Sequence, residues 1–253
     1  MTYPILEHDP THEAFIEPSK VNRKRDMPER SVICFFMDVI EKVISEYDAK
    51  MLVENTWEDG PHPVYEIEYR GQRLAFFHPG IGSALAAGIL EEVIAFGCSK
   101  FIACGGCGVL EKEIAPGHLI VVSAAVRDEG VSYHYLPPAR EVQANKTALK
   151  SLANILAERG IPYLVGKTWT TDAPYRETIA KINKRKEEGC LTVEMEAAGM
   201  MAVSQYRNVP FGQILYAGDD LSGSKWENRD WQSRSDVREQ LFWLAADAVL
   251  SLE

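Results

Sequence analysis

The sequence has no run of the roughly 20 apolar residues that a membrane-spanning helix needs, and Met1 to Pro10 lack the basic-then-apolar pattern of an export signal. It is short of positive charge. Lys and Arg number 27 against 37 Asp and Glu, and the net charge of −10 argues against nucleic acid or an anionic membrane as the main partner. A small anion held by a few local Arg residues is still compatible with that balance. Cysteine is scarce and odd in number: five residues, all in apolar or Gly-rich surroundings, read as reduced thiols. Together these point to a cytoplasmic protein. Cys104-x-x-Cys107 has redox spacing but sits in a glycine-rich stretch. Pro10 separates His8 from His12 and Glu13 and breaks the helical geometry a metal pair would need, and no Cys/His set has zinc spacing, so no metal is expected. Gly-x-Ser-x-Gly, Walker and helix-turn-helix signatures are missing. So are internal repeats, low-complexity tracts and linkers.

What is present is 253 residues, enough for one large α/β domain with a sizeable core. Residues 1–30 are rich in Pro, Thr, Glu and His and end in the basic cluster Arg23, Lys24, Arg25 and Arg30. They read as an N-terminal arm ahead of a domain at 31–253. Apolar spacing predicts helices at Ser31–Tyr47, Ala84–Phe96, Asn145–Arg159, Pro174–Lys186 and Arg234–Leu250. A hairpin is predicted at Val64–Tyr69 and Arg73–His78, turning at Arg70-Gly71-Gln72. Further strands are predicted at Lys100–Cys104, His118–Ala124 and Pro162–Trp169. Strands alternating with helices favour a mostly parallel or mixed sheet with helices on both faces.

Two acidic pairs stand out. In Val193-Glu194-Met195-Glu196-Ala197-Ala198-Gly199 two carboxylates interrupt an apolar, small-residue run, where burial is costly without a partner. Met200 to Val203 continue as a buried helix, so the pair sits where strand meets helix, the place ligands bind in α/β sheets. The second pair, Asp219-Asp220, ends the apolar run Phe211–Tyr216. Along a strand the two side chains point opposite ways. A carboxylate accepting two hydrogen bonds suits a vicinal diol, and a positioned acid can donate one proton. Gly80-Ile81-Gly82-Ser83 and Gly105-Gly106-Cys107-Gly108 read as glycine turns at strand ends, where backbone N–H groups can approach an anion.

On the Val-Glu-Met-Glu-Ala-Ala-Gly motif and Gly218-Asp219, the chain resembles the nucleoside phosphorylase and nucleosidase family, from about Arg73 to the C-terminus. The resemblance implies a single-domain, three-layer α/β/α fold with a mixed, partly closed central sheet. It implies cleavage of the N-glycosidic bond of a nucleoside, by phosphorolysis to free base and (deoxy)ribose 1-phosphate. Glu196 would hold the ribose, with Met195 packed on the sugar and Glu194 beside it, and Asp219 would protonate the leaving base. Trp169, Thr171, Asp172, Tyr175 and Arg176 fall where the family places its base pocket, with Pro174 at the usual aromatic position. Gly80, Gly82, Gly105, Gly106 and Arg127 fall at the phosphate or nucleophile pocket. The resemblance implies no metal or organic cofactor, inorganic phosphate as co-substrate, and a homo-oligomer, dimer or hexamer.

The chain departs from the phosphorylases at that pocket. Their Arg-x-Gly-Ser or Arg-x-Gly-Thr is Ala103-Cys104-Gly105-Gly106 here, so both guanidinium and hydroxyl are missing. The basic cluster of the arm could supply the contact instead, or water could be the nucleophile, as in the hydrolytic relatives. A third reading is a nucleoside-binding or storage member without turnover. The base is open between purine, favoured by Asp219, and uridine, suggested by Arg127-Asp128-Glu129-Gly130-Val131-Ser132.

Overall fold

The computed structural model describes residues 3–252; Met1, Thr2 and Glu253 lie outside the described residues. In chain order the elements are α1 (Pro18–Val21), β1 (Arg30–Cys34), α2 (Met37–Glu46), β2 (Lys50–Trp57), β3 (Gly60–Tyr69), β4 (Gln72–Phe77), α3 (Ser83–Phe96), β5 (Lys100–Val109), β6 (Leu119–Asp128), α4 (Ser132–Tyr135), β7 (Glu141–Gln143), α5 (Lys146–Glu158), β8 (Tyr163–Thr171), α6 (Ile179–Glu187), β9 (Cys190–Glu194), α7 (Ala197–Tyr206), β10 (Phe211–Asp220) and α8 (Ser235–Leu250).

All ten strands join one mixed sheet, ordered β10-β6-β8-β9-β5-β1-β4-β3-β2 with β7 beside β6. β10 runs parallel to β5 and antiparallel to β6, so β5, β9, β8, β6 and β10 close into a five-stranded ring. The β1–β4 and β1–β5 pairs are parallel, and β2–β3–β4 form an antiparallel extension. α3 and α7 cover one face with Leu90, Val93, Phe96, Met200 and Val203 in the core. α2, α5 and α8 cover the other with Val39, Ile40, Leu152, Leu241 and Phe242. This is the three-layer, partly closed architecture expected from the sequence.

Three local expectations change. The helix expected at Ser31–Tyr47 divides into β1 and α2, because Val32, Ile33 and Cys34 form a short, wholly buried run that pairs on both sides with β4 and β5. Short apolar runs of this kind carry no period that separates strand from helix. The turn expected at Gly105-Gly106-Cys107-Gly108 is extended strand: β5 continues to Val109, paired with β10 and, at its end, β9. The helix expected at Pro174–Lys186 is a 3-10 turn at Pro174–Arg176, then α6, which starts after Thr178, whose Oγ1 accepts the Lys181 N–H at 3.3 Å and acts as the helix cap. Sequence spacing also passed over β2. The described part of the arm is pinned by Tyr206 Oη donating to the His12 carbonyl at 2.6 Å and by an Arg207–Glu17 ion pair at 3.2 Å. No helix among the described residues is long and apolar enough to cross a membrane.

Candidate active site

β9 ends at Glu194, and α7 begins three residues later. The exposed N–H groups of a new helix need acceptors, and Glu194 supplies one: its Oε2 accepts from the backbone of Glu196 at 2.7 Å and Ala197 at 2.6 Å. Its Oε1 accepts from Thr170 Oγ1 at 2.6 Å, and that hydroxyl oxygen accepts in turn from the Ala198 N–H at 3.0 Å. Both oxygens of Glu194 are thus spent on building the β9–α7 junction. Burial pushes its carboxyl up to about 7.

Glu196 follows on this platform. Its Oε1 accepts from the backbone N–H of Gly82 at 2.6 Å, and Ser83 Oγ donates to the Met195 carbonyl at 2.7 Å, stapling the start of α3 to the junction. Gly82 sits at φ +86°, in the region open to glycine, and this turns its N–H toward the carboxylate. Burial first, and the neighbouring Glu194 charge second, push Glu196 up to about 8.

Asp219 lies near the end of β10. Its Oδ2 accepts from Trp226 Nε1 at 2.6 Å. Asp220 faces elsewhere, paired with Arg229 and capping the Ser222 N–H at 2.7 Å. Glycine at 108 lets β5 pass: a Cβ there would stand 2.5 Å from Leu221 and 3.3 Å from Asp219 Oδ1. Cys107 lies between the two acidic centres, its thiol driven well above the ordinary range by burial, then by the charges of Asp219 and Glu194.

These groups open on one cavity of about 400 Å³, lined among others by Gly105, Gly106, Val193, Glu194, Met195, Glu196 and Asp219. The carboxylates at 196 and 219 therefore share a single space, reached from the ends of β9 and β10, the two strands that flank β5. Gly105 and Gly106 line it, Gly82 contributes its N–H to Glu196, and Gly80, at φ +79°, shapes the turn into α3 without lining the cavity.

The remaining expected residues are placed elsewhere. Trp169 is fully buried, its Nε1 donating to Asp128 at 3.0 Å, with Lys181 and Arg185 against its ring. Thr171 Oγ1 accepts from the Ala173 N–H at 3.2 Å, and Asp172 accepts from the Gly130 N–H at 2.9 Å. Tyr175 is 99% exposed and Arg176 is exposed as well. None of these five lines the cavity; from that segment Pro174 and Glu177 do. Burial, and then the Asp219 charge, push Glu177 up to about 7. Arg127 is 4% exposed and committed to Ser132 Oγ (2.8 Å) and to the carbonyls of Pro137 (2.8 Å) and Leu136 (3.2 Å), with Tyr133 under its guanidinium. It organises the loop after β6 and does not reach the cavity.

The inner wall consists of residues that sequence reasoning passed over. Phe35 and Phe36 follow β1, and a Cβ at Gly105 would stand 3.2 Å from the Phe35 ring. Trp231 and Arg238 close the side toward α8. Arg238 holds Asp38 at 3.0 Å and the Gln232 carbonyl at 3.3 Å and lies over the Phe36 ring. Gln213 completes the lining. It carried a readable signal, as the one polar side chain within the apolar run before Asp219. Arg23, Lys24, Arg25 and Arg30 do not line the cavity. Among the described residues no group of three His, Cys, Asp or Glu is arranged to hold a metal ion.

Comparison with known proteins bears on the family and the fold. A guanosine phosphorylase from Halorubrum lacusprofundi is 24% identical over 214 residues, spanning 85% of this chain and 88% of the relative. A purine nucleoside phosphorylase from Plasmodium falciparum is 28% identical over 171 residues, 66% of this chain and 69% of the relative. In fold, a uridine phosphorylase from Vibrio fischeri superposes with TM-score 0.74 at 20% identity, covering 89% of this chain and 93% of that one. An AMP nucleosidase from Bacteroides thetaiotaomicron gives TM-score 0.69 at 23% identity over 89% and 88%. With residues 32–247 matching the family described as the phosphorylase superfamily, the chain belongs to that superfamily.

Proposed function

We propose that this protein cleaves the N-glycosidic bond of a nucleoside, with inorganic phosphate as the acceptor. The observation that carries the reading is the convergence of Glu196 and Asp219 on one cavity. One oxygen of Glu196 is held by the Gly82 N–H, and the carboxylate takes the 2′- and 3′-hydroxyls of the sugar. Met195 packs on the sugar. As the C1′–N bond breaks, its electron pair moves to the base, and Asp219, positioned by Trp226, acts as the general acid toward the departing nitrogen. A phosphate oxygen then bonds to C1′. No metal or organic cofactor takes part, and the protein works in the cytoplasm as a homo-oligomer. Metal analysis and light scattering of the purified protein test the first and last of these.

A second reading, hydrolysis, is favoured by one feature. Where the phosphorylases carry an Arg this chain has the fully buried Ala103, and the guanidinium that does line the cavity, Arg238, is already engaged with Asp38. A phosphate dianion without a bidentate Arg binds weakly. Incubating the protein with a panel of purine and pyrimidine nucleosides, with and without phosphate, separates the readings. Phosphate-dependent base release with formation of a sugar 1-phosphate is expected. Equal release without phosphate replaces phosphorolysis by hydrolysis, and binding without release over hours overturns both.

A further inference from the structure

Gln213 is 1% exposed, lines the cavity, and its Oε1 has no hydrogen-bond partner. A buried polar atom left unpaired is costly, so a fold that retains one on a side chain lining a cavity points to a ligand that satisfies it. The strand register fixes where that ligand sits. On β10, Gln213 lies beside Ala103 of β5, two residues before Gly105, while Asp219 stands six residues further along β10. Gln213 and Asp219 therefore mark the two ends of the stretch of β10 that lines the cavity, and Glu196 lines the same cavity from the β9–α7 junction.

Several other polar groups lining the space are engaged, while Glu177 and the second oxygen of Glu196 stay open to ligand. Glu194 is saturated by Thr170 and two backbone N–H groups, Asp219 is held by Trp226, and Arg238 is held by Asp38. Phe35, Gly105 and Gly106, which line the same cavity, offer no competing side-chain donor. A carboxamide can turn either end to its ligand: the NH₂ group donates to an anionic oxygen, and the carbonyl accepts from an O–H.

We propose that Gln213 binds the incoming oxygen nucleophile at its end of the cavity. This rests on the glycosidic-cleavage reading above. The ligand is a small oxygen acceptor of the sugar, either inorganic phosphate, taken by the NH₂ group, or water, taken by the carbonyl. In both cases an acceptor oxygen forms the bond to C1′, the glycosidic electron pair leaves with the base, and Asp219 supplies the base with its proton; when water is the acceptor, its surplus proton leaves to solvent, from which Asp219 is reprotonated.

The test compares the intact wild-type protein with Gln213→Met, close in volume and without the amide, and Gln213→Glu, which retains hydrogen-bonding capacity but adds a negative charge. Thermal melts and circular dichroism establish that each variant folds. Gln213→Met is expected to lower kcat/KM for base release about 10-fold or more, as loss of a buried hydrogen bond to a reacting group does. Binding of the free base, measured by thermal shift, should change less than about 2-fold, since that ligand lies at the Asp219 end. If phosphate is the acceptor, the KM for phosphate rises in Gln213→Met and rises further in Gln213→Glu, whose charge repels the dianion. If water is the acceptor, activity is independent of phosphate, Gln213→Glu outperforms Gln213→Met, and added methanol captures a larger share of the sugar in Gln213→Met than in the wild type. Two results overturn the inference while the glycosidic reading survives. One is folded variants with wild-type rates and acceptor dependence; the other is equal losses of base binding and turnover, which mark a packing role. A wild-type protein that releases no base in either arm removes the glycosidic reading and this inference with it.

Discussion

Glu196→Gln is the perturbation with the most exact consequence. In the folded protein the Glu196 carboxyl is raised from 4.5 to about 8, first by burial and then by the charge of Glu194. The folded state therefore holds this proton more tightly than the unfolded chain. Stability is fully present below the unfolded value, near pH 4.5, and is lost as pH rises toward about 8. At 1.36 kcal/mol per pH unit the whole interval is worth roughly 5 kcal/mol. The repulsion from Glu194 needs both charges and disappears in the variant, so over the part of the interval that the assay spans on the order of 3 kcal/mol separates the two proteins. The glutamine carbonyl can still accept the Gly82 N–H, so the junction between α3 and α7 stays closed. Melting temperatures between pH 5 and pH 9 should then fall by roughly 6–12 °C more in the wild type than in Glu196→Gln, at 2–4 °C per kcal/mol for a chain of this size. In the same variant kcat/KM for nucleoside cleavage should fall about 10–100-fold, the worth of a hydrogen bond to a charged group. Parallel melting curves for the two proteins across this pH range would refute the reasoning, because they would mean that Glu196 meets no cost on ionising.

Nucleoside binding should release a proton near pH 7, because ribose hydroxyls donating to Glu196 favour its ionised form; calorimetry in two buffers of different ionisation enthalpy measures it, and proton uptake would contradict the assignment. Asp219→Asn should cut turnover of purine nucleosides by roughly 100-fold or more with little change in KM, and unaltered turnover in steady-state assays would dismiss Asp219 as the acid. Gly108→Ala should both destabilise the protein by about 1–3 kcal/mol in denaturant titrations and depress turnover, since the new methyl displaces Leu221 and crowds Asp219. Arg127→Met should destabilise by about 3 kcal/mol or more, through the buried carbonyls of Leu136 and Pro137 left unpaired. It should leave the phosphate dependence of base release unchanged; a raised phosphate KM in a stably folded Arg127→Met would return Arg127 to the acceptor pocket.

Much of this molecule was legible from composition and local pattern. Alternating periods marked the layered α/β organisation, and carboxylates in an apolar run marked Glu194, Glu196 and Asp219, because burying charge is costly enough to need a reason. The opposite facing of Asp219 and Asp220 followed from the two-residue repeat of a strand. Local pattern failed where the chain lacks period. Val32 to Cys34 read as helix, Gly105 to Gly108 read as a turn, and Trp169, Tyr175 and Arg176 were placed by their position in the chain when the cavity is reached by Pro174 and Glu177. Sequence, then, determined which side chains are candidates for the chemistry. Which of them meet was decided by closure of the sheet: β10 pairs with both β5 and β6, carrying Asp219 and Gln213 into the lining of one cavity with Glu196, while the same packing buries Trp169 and commits Arg127 to its own loop. Such pairings join residues far apart along the chain, and their register is set by long-range packing that no local stretch encodes.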